Sequence, residues 1–193
     1  MGESSEAFWR HRTSSAAIWI APYLDGEPGS TFVATVDGIV VGYLTGCVDT
    51  ERFRGPDAVM MRQIPRHWLL YRPGVAGFLW RAMLDQARDR WRGHEAISGV
   101  LHDPRWPSHL HINLLSEARG TRLGRALMER WFERLKAVGS PGCHLGVIEE
   151  NQRAVGFFTA MGFESHGAPT PIPGMRGRRG ERLHQQMMVR AVT

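Results

Sequence analysis

The chain has 193 residues, 42% of them hydrophobic and 22% charged, with a net charge of +5. That length and balance fit one globular domain with a sizeable core, and no run reaches the ~18–20 apolar residues a membrane span needs. Of its 24 basic residues 23 are arginine, scattered except for Arg176, Arg178 and Arg179, which suits a small anionic ligand and argues against a nucleic-acid face. Cys47 and Cys143 sit in apolar, strand-like runs and form no CxxC pair, and the polar start MGESSEAFWRHR has no signal-peptide core, so a reducing cytoplasm is expected.

Residues 5–20 mix polar and apolar residues and are expected to form a helix, and residues 1–30 read as a short helical N-terminal segment. Thr31–Val36 and Ile39–Val48 are rich in Val, Phe, Thr and Tyr, and Asp37-Gly38 between them is a two-residue hairpin signal. Pro56, Pro65 and Pro73 limit residues 51–74 to short helices. Val75–Trp91 reads as an amphipathic helix, with Phe78, Leu79, Met83, Ala87 and Trp91 near helical spacing; the same periodicity assigns Phe78, Trp80 and Trp91 to the core. A strand from His109 to Leu115 follows Pro104 and Pro107. The next helix, Thr121–Val138, carries Leu123, Leu127, Trp131 and Leu135 at four-residue spacing and stops at Gly139-Ser140-Pro141-Gly142. A strand Cys143–Ile148, a helix from Asn151 to Met161, a strand starting at Phe163–Ser165, a long loop Gly167–Gly180 and a last strand Leu183–Val189 complete a mixed α/β domain spanning 1–193.

The turn Arg119-Gly120-Thr121-Arg122-Leu123-Gly124 lies between strand and helix. A glycine-bearing turn that opens a helix leaves backbone N–H groups unpaired at the positive end of the helix dipole. Arg122 and Arg125 in that first turn oppose the dipole unless an anion is bound, and a phosphate or pyrophosphate is the simplest occupant.

With Asn151-Gln152-Arg153-Ala154-Val155-Gly156-Phe157-Phe158-Thr159-Ala160-Met161-Gly162-Phe163 on the following helix, the chain resembles the GCN5-related N-acetyltransferase (GNAT) superfamily over roughly residues 31–190. That family carries R/Q-x-x-G-x-G/A after its fourth strand, then Asn followed by Ala-x-x-Phe-Tyr-x-x-x-Gly-Phe. The run His109-Leu110-His111-Ile112-Asn113-Leu114-Leu115 looks like bacterial relatives of the acetyltransferase-like domain attached to O-GlcNAcase. The resemblance implies a central, mostly antiparallel twisted sheet whose fourth and fifth strands splay apart, flanked by helices. It implies that acetyl-CoA is the co-substrate and that no metal is needed. Its pantetheine arm would bond main chain near Leu114 and Leu115, its pyrophosphate would sit on Arg119, Gly120, Thr121, Arg122, Leu123 and Gly124, and Asn151 and Phe158 would flank it. The implied reaction is acetyl transfer to a primary amine by direct attack in a ternary complex.

Four departures bear on that expectation. Arg122 replaces the family's first glycine, so its backbone either pays for a positive φ or stays near helical angles. Phe158 stands where relatives often have an acidic tyrosine, leaving Tyr43, Tyr71 or water to protonate the departing thiolate. Gly146 stands where many relatives carry a glutamate base. His109, His111 and Asn113 share one strand face; His111 is the preferred base, with Asn113 beside it, and Glu149 and Glu150 are weaker candidates. Finally, only about 30 residues precede Thr31, so the family's first strand is missing or shortened, and Thr31–Val36 becomes an edge open to dimerisation. The long segment 50–106 reads as a helical insertion walling the acceptor pocket, opposite the loop Gly167–Gly180. His109-x-His111 has no third ligand at a recognisable metal spacing. A catalytically weak domain that binds acetyl-CoA as a sensor or scaffold is the alternative reading.

Overall fold

The computed structural model describes residues 20–53, 73–92 and 101–192. Positive φ at Asp37 (50°) and Gly38 (78°) closes the hairpin between β1 (Thr31–Val36) and β2 (Ile39–Cys47), as the dipeptide predicts. A short helix α1 (Ala21–Gly26) precedes it. Helix α2 (Pro73–Trp91) leads towards β3 (Ser108–Leu114). Then come α3 (Leu123–Ala137), β4 (Gly142–Ile148), α4 (Gln152–Ala160), β5 (Glu164–Arg176) and β6 (Arg182–Ala191). The strands form one open mixed sheet in the order β1-β2-β3-β4-β6-β5. Among the described strands only β3 and β4 pair in parallel.

Register sorts the side chains into two faces. Leu44, Leu110, Leu145, Val147 and Met188 point to one face, where the α3 stripe of Leu127, Trp131 and Leu135, with Met128 and Phe132, buries them together with Phe158 and Phe163. This is the core, and the four-residue spacing in α3 located it correctly. The other face carries Tyr43, Thr45 and Cys47 from β2, His109, His111 and Asn113 from β3, and His144 and Gly146 from β4.

Two expectations are corrected. Gly167–Gly180 is not a loop: β5 runs from Glu164 to Arg176, and a turn joins it to β6 at Arg182. Pro169, Pro171 and Pro173 are tolerated because β5 is an edge strand, and the ladder skips between His166 and Thr170 and between Pro171 and Arg176. Helix α2 spans the expected residues, but of the three positions assigned to the core only Phe78 packs inward, half-buried with its ring beside Gly174 of β5. Trp80 is 62% exposed and Trp91 89%, whereas Asp85 and Asp89 are buried. The buried face is ionic, because Arg176 and Arg182 of β5 and β6 grip those two carboxylates.

The expected helix over residues 5–20 lies almost wholly outside the described residues, as do residues 54–72 with Tyr71 and the stretch that would precede α1 as the family's opening strand. Among the described residues β1 is the sheet edge. Both cysteines are free and buried. No helix among the described residues is long and apolar enough to cross a membrane.

Candidate active site

Strands β3 and β4 pair only at Ser108–Cys143 and His109–His144, although both continue for several residues. Beyond that point they part. The Leu115 N–H donates to Val41 O at 2.9 Å, so alternate residues Asn113, His111 and His109 turn their main-chain groups to β2. Those of Ile112 and Leu114 face the gap. Arg119 Nε donates to Leu114 O at 3.1 Å, which pins the end of the strand. Of the two main-chain positions singled out from sequence, Leu114 therefore faces the gap, while the Leu115 N–H is already engaged on β2.

The turn beside this gap is built as a cradle. Gly120 has φ +85°, a conformation side chains resist, and lets the chain reverse into the helix. Arg122 is the helix N-cap with φ −77° and ψ −1°, so its replacement of glycine strains nothing. It provides no side-chain cap, and no acidic residue occupies the first turn. The Thr121 hydroxyl donates to Ala118 O at 2.6 Å and bonds only weakly to the Leu123 N–H, at 3.4 Å. Gly124 seats the helix start: a Cβ there would lie 3.0 Å from Leu114 Cδ1 and 3.4 Å from Phe157 Cζ. An uncapped end of a 15-residue helix, bordered by Arg119, Arg122 and Arg125, fits a pyrophosphate. Sequence reasoning missed Arg153 as a neighbour of this turn; its guanidinium lies 3.8 Å from where a Gly120 Cβ would be. Its place in the second motif was the available signal. Asn151 caps α4 by accepting the Ala154 N–H through its side chain at 3.3 Å. Phe158 is buried in the core, with its ring against Phe157 and Phe163.

Across the sheet lie the histidines. Tyr23 Oη sits 2.9 Å from His109 Nε2, and Thr50 Oγ1 2.7 Å from Nδ1, so both nitrogens of His109 are engaged. His144 has a fixed tautomer: Nδ1 donates to Trp106 O at 2.8 Å, while Nε2 accepts the Leu101 N–H at 3.2 Å. His111 makes no side-chain hydrogen bond among the described residues, although the Tyr23 ring stands edge-on to it at 5.5 Å. Its surface is open to solvent while protein surrounds it, the situation of a group in a cleft. That enclosure, aided by His144, pushes its imidazole down to about 4. Burial holds His109 well below its ordinary range and also lowers His144. Asn113 Nδ2 donates to Tyr43 Oη at 3.0 Å, placing the phenol on the same face as His111. The Gln185 side chain occupies the space a Gly146 side chain would need. Glu150 is committed to the His184 main chain and ring. Tyr23, Thr45, Thr50 and His144 went unnoticed in the sequence because only the sheet register brings them to His109 and His111.

Residues 99–163 match the acetyltransferase (GNAT) family, a segment that contains β3, the cradle and α4. In structure the chain is similar to SsHAT, at 24% identity and a TM-score of 0.62 over 100% of this chain and 87% of that one. It is also similar to a phosphinothricin acetyltransferase from Sinorhizobium meliloti in complex with AcCoA, at 18% identity and a TM-score of 0.54, covering 90% and 68% of the two chains. A third, yncA, a putative acetyltransferase from Salmonella typhimurium with its cofactor acetyl-CoA, shares 13% identity and a TM-score of 0.52 over 89% and 70%. The segment 99–163 is thus similar to the acetyltransferase (GNAT) family, and the chain as a whole shares the fold of these structures.

Proposed function

We propose that the protein transfers the acetyl group of acetyl-CoA to a primary amine by direct attack within a ternary complex. One observation carries this reading: β3 and β4 part after two ladder pairs, directly beside an uncapped helix start ringed by arginines. Ile112 and Leu114 offer main-chain groups in the gap, and the Arg119–Gly124 turn offers N–H groups to the pyrophosphate. Acetyl-CoA supplies an activated thioester carbonyl. The amine nitrogen bonds to that carbon as the carbon–sulfur bond breaks; one proton leaves nitrogen and one goes to sulfur. His111 is the accessible neutral imidazole on the acceptor side, and it takes the first proton and returns it to solvent. The proton is lost from a nitrogen becoming an amide, which is far more acidic than a free ammonium, so a weakly basic imidazole suffices. The Tyr43 phenol, held by Asn113, takes the place of the family's acidic tyrosine at the sulfur. A main-chain N–H of β3 facing the gap steadies the oxyanion.

Calorimetry with acetyl-CoA, followed by thiol release across an amine panel, tests this. Absence of binding overturns it. The second reading, a binding domain with little or no turnover, is favoured by the buried Phe158 ring and by Gln185 lying over Gly146. Tight binding with no thiol release from any amine would establish it instead. The position of β1 at the sheet edge among the described residues supports self-association, and a light-scattering mass near 21.8 kDa would count against that. Two free, buried cysteines suit a reducing compartment such as the cytoplasm.

A further inference from the structure

Among the described residues the acceptor side of the sheet is polar but presents no charge suited to an ammonium. Around His111 stand His109 and Asn113 on its own strand, Tyr43, Thr45 and Cys47 on β2, His144 and Gly146 on β4, and Tyr23 from α1. The carboxylates near these elements are spent elsewhere. Glu27 accepts the Val48 N–H and the Ser30 hydroxyl, Asp49 pairs with Arg52, Asp103 pairs with Arg105, and Asp25 is exposed. His144 cannot gain a proton without losing the Leu101 N–H, because an imidazolium has no acceptor nitrogen. Both nitrogens of His109 already face hydroxyls.

Two polar groups remain. The nitrogens of His111 are unbonded among the described residues. Thr45, its register partner, is fully buried, and its hydroxyl has no partner among the described residues. The Thr45 hydroxyl is shut off from solvent, so His111, whose surface is exposed, is the neutral acceptor nitrogen an incoming N–H can reach. The burial that disfavours a proton on His109 and His144 acts in the same way on an amine drawn in beside them: it favours the uncharged form.

Resting on the acetyl-transfer reading, we propose that the acceptor is a weakly basic amine with an appreciable neutral fraction at pH 7, and not the alkylammonium of a lysine side chain or a polyamine. A lysine ε-amine titrates near 10.4 and an α-amine near 7.8, so at pH 7 the neutral fraction favours the α-amine by about 300-fold. The greater nucleophilicity of the stronger base returns part of that advantage.

The test uses the full chain with acetyl-CoA and measures thiol release at pH 7 from a matched pair: lysinamide blocked at the ε-nitrogen and lysinamide blocked at the α-nitrogen. Glucosamine, p-toluidine and spermidine complete the set. The expected result is a kcat/KM at least about tenfold higher for ε-blocked lysinamide than for its α-blocked twin, with spermidine the poorest. Equal or better use of α-blocked lysinamide or spermidine overturns the inference and leaves the acetyltransferase reading standing. Thiol release from none of these amines, with acetyl-CoA bound, removes both. As a second readout, log kcat/KM should climb with unit slope up to each acceptor's own pKa; a plateau reached well below that pKa counts against the inference.

Discussion

Asp85 and Arg176 form a two-pronged ion pair across 91 residues of sequence: Nη1 donates to Oδ2 at 2.7 Å and Nη2 to Oδ1 at 2.8 Å, while the Gly174 N–H donates to the same carboxylate at 2.8 Å. One helical turn on, Arg182 grips Asp89 in the same manner, at 2.9 and 2.6 Å. The two pairs clasp α2 to the β5–β6 hairpin, and Trp80, Met83, Leu84 and Trp91 of that helix are left outside.

Replacing Asp85 with alanine should therefore cost more than truncating any of those four apolar residues. It strands a half-buried guanidinium and the Gly174 N–H. The cost should be about 2–4 kcal/mol, kept below the full penalty of a broken buried pair because Arg176 retains some solvent contact. Urea unfolding of Asp85→Ala beside Trp80→Ala checks the ordering, since the exposed Trp80 should change stability by less than about 0.5 kcal/mol. The Arg176 hydrogen bonds hold the Asp85 carboxyl below its ordinary value. Its contribution is thus complete above about pH 4 and is lost as the pH falls further.

The buried histidines place a second, earlier loss of stability in acid. His109 and His144 both bind protons less readily folded than unfolded, chiefly through burial. Between about pH 6.5 and the lower folded values the unfolded chain holds the extra protons, so stability falls as the pH drops through that window. Each group contributes up to about 1.4 kcal/mol per pH unit there. Urea midpoints from pH 8 to 4.5 should decline well before carboxylates titrate, and His109→Gln should flatten the slope by about one proton. A flat profile down to pH 5 would refute the assignment.

The parts that sequence made legible are those whose physics is local. Asp37-Gly38 carries its own turn, the α3 stripe its own burial, and Gly120 and Gly124 their own tight bend and close contact. The parting of β3 from β4 was anticipated through family resemblance. What stayed hidden depends on distant partners. Asp85 reads as a surface charge until Arg176 is placed beside it, and the prolines of β5 read as loop until the strand is known to lie on an edge. Tyr23 and Thr50 join His109 only because α1 and the end of β2 meet β3 in space.

Arg122 offers a direct test of the cradle. If its position strained the backbone, Arg122→Gly would relieve it and strengthen binding of acetyl-CoA. Its φ of −77° is ordinary, so the substitution should instead remove a cation and loosen a helix start. The dissociation constant should rise about three- to tenfold, and the difference should shrink in high salt. Calorimetry at two salt concentrations reads both effects.

His111 should separate binding from turnover. His111→Gln retains polarity in the cleft but accepts no proton, so kcat should fall by about 100-fold or more while the acetyl-CoA dissociation constant stays unchanged. With the imidazole near 4, the wild-type rate should show no break from this group between pH 5 and 8. An unchanged kcat in the variant would remove His111 from the chemistry.

Gly146 and Gln185 permit a test by addition. Many relatives carry a glutamate at the Gly146 position, but here the Gln185 amide fills the space. Gly146→Glu alone should overpack the site and lower stability by about 1–3 kcal/mol. Adding Gln185→Ala should recover most of that loss, because it removes the amide in the way. The double variant would then carry a carboxylate on the face that otherwise presents neutral imidazoles to the acceptor. A carboxylate compensates a desolvated ammonium, so the use of spermidine relative to glucosamine should rise in the double variant. Urea unfolding of the three variants and competition between the two amines measure both effects. A double variant that regains stability without any shift in amine preference would show that the acceptor does not bind against this face.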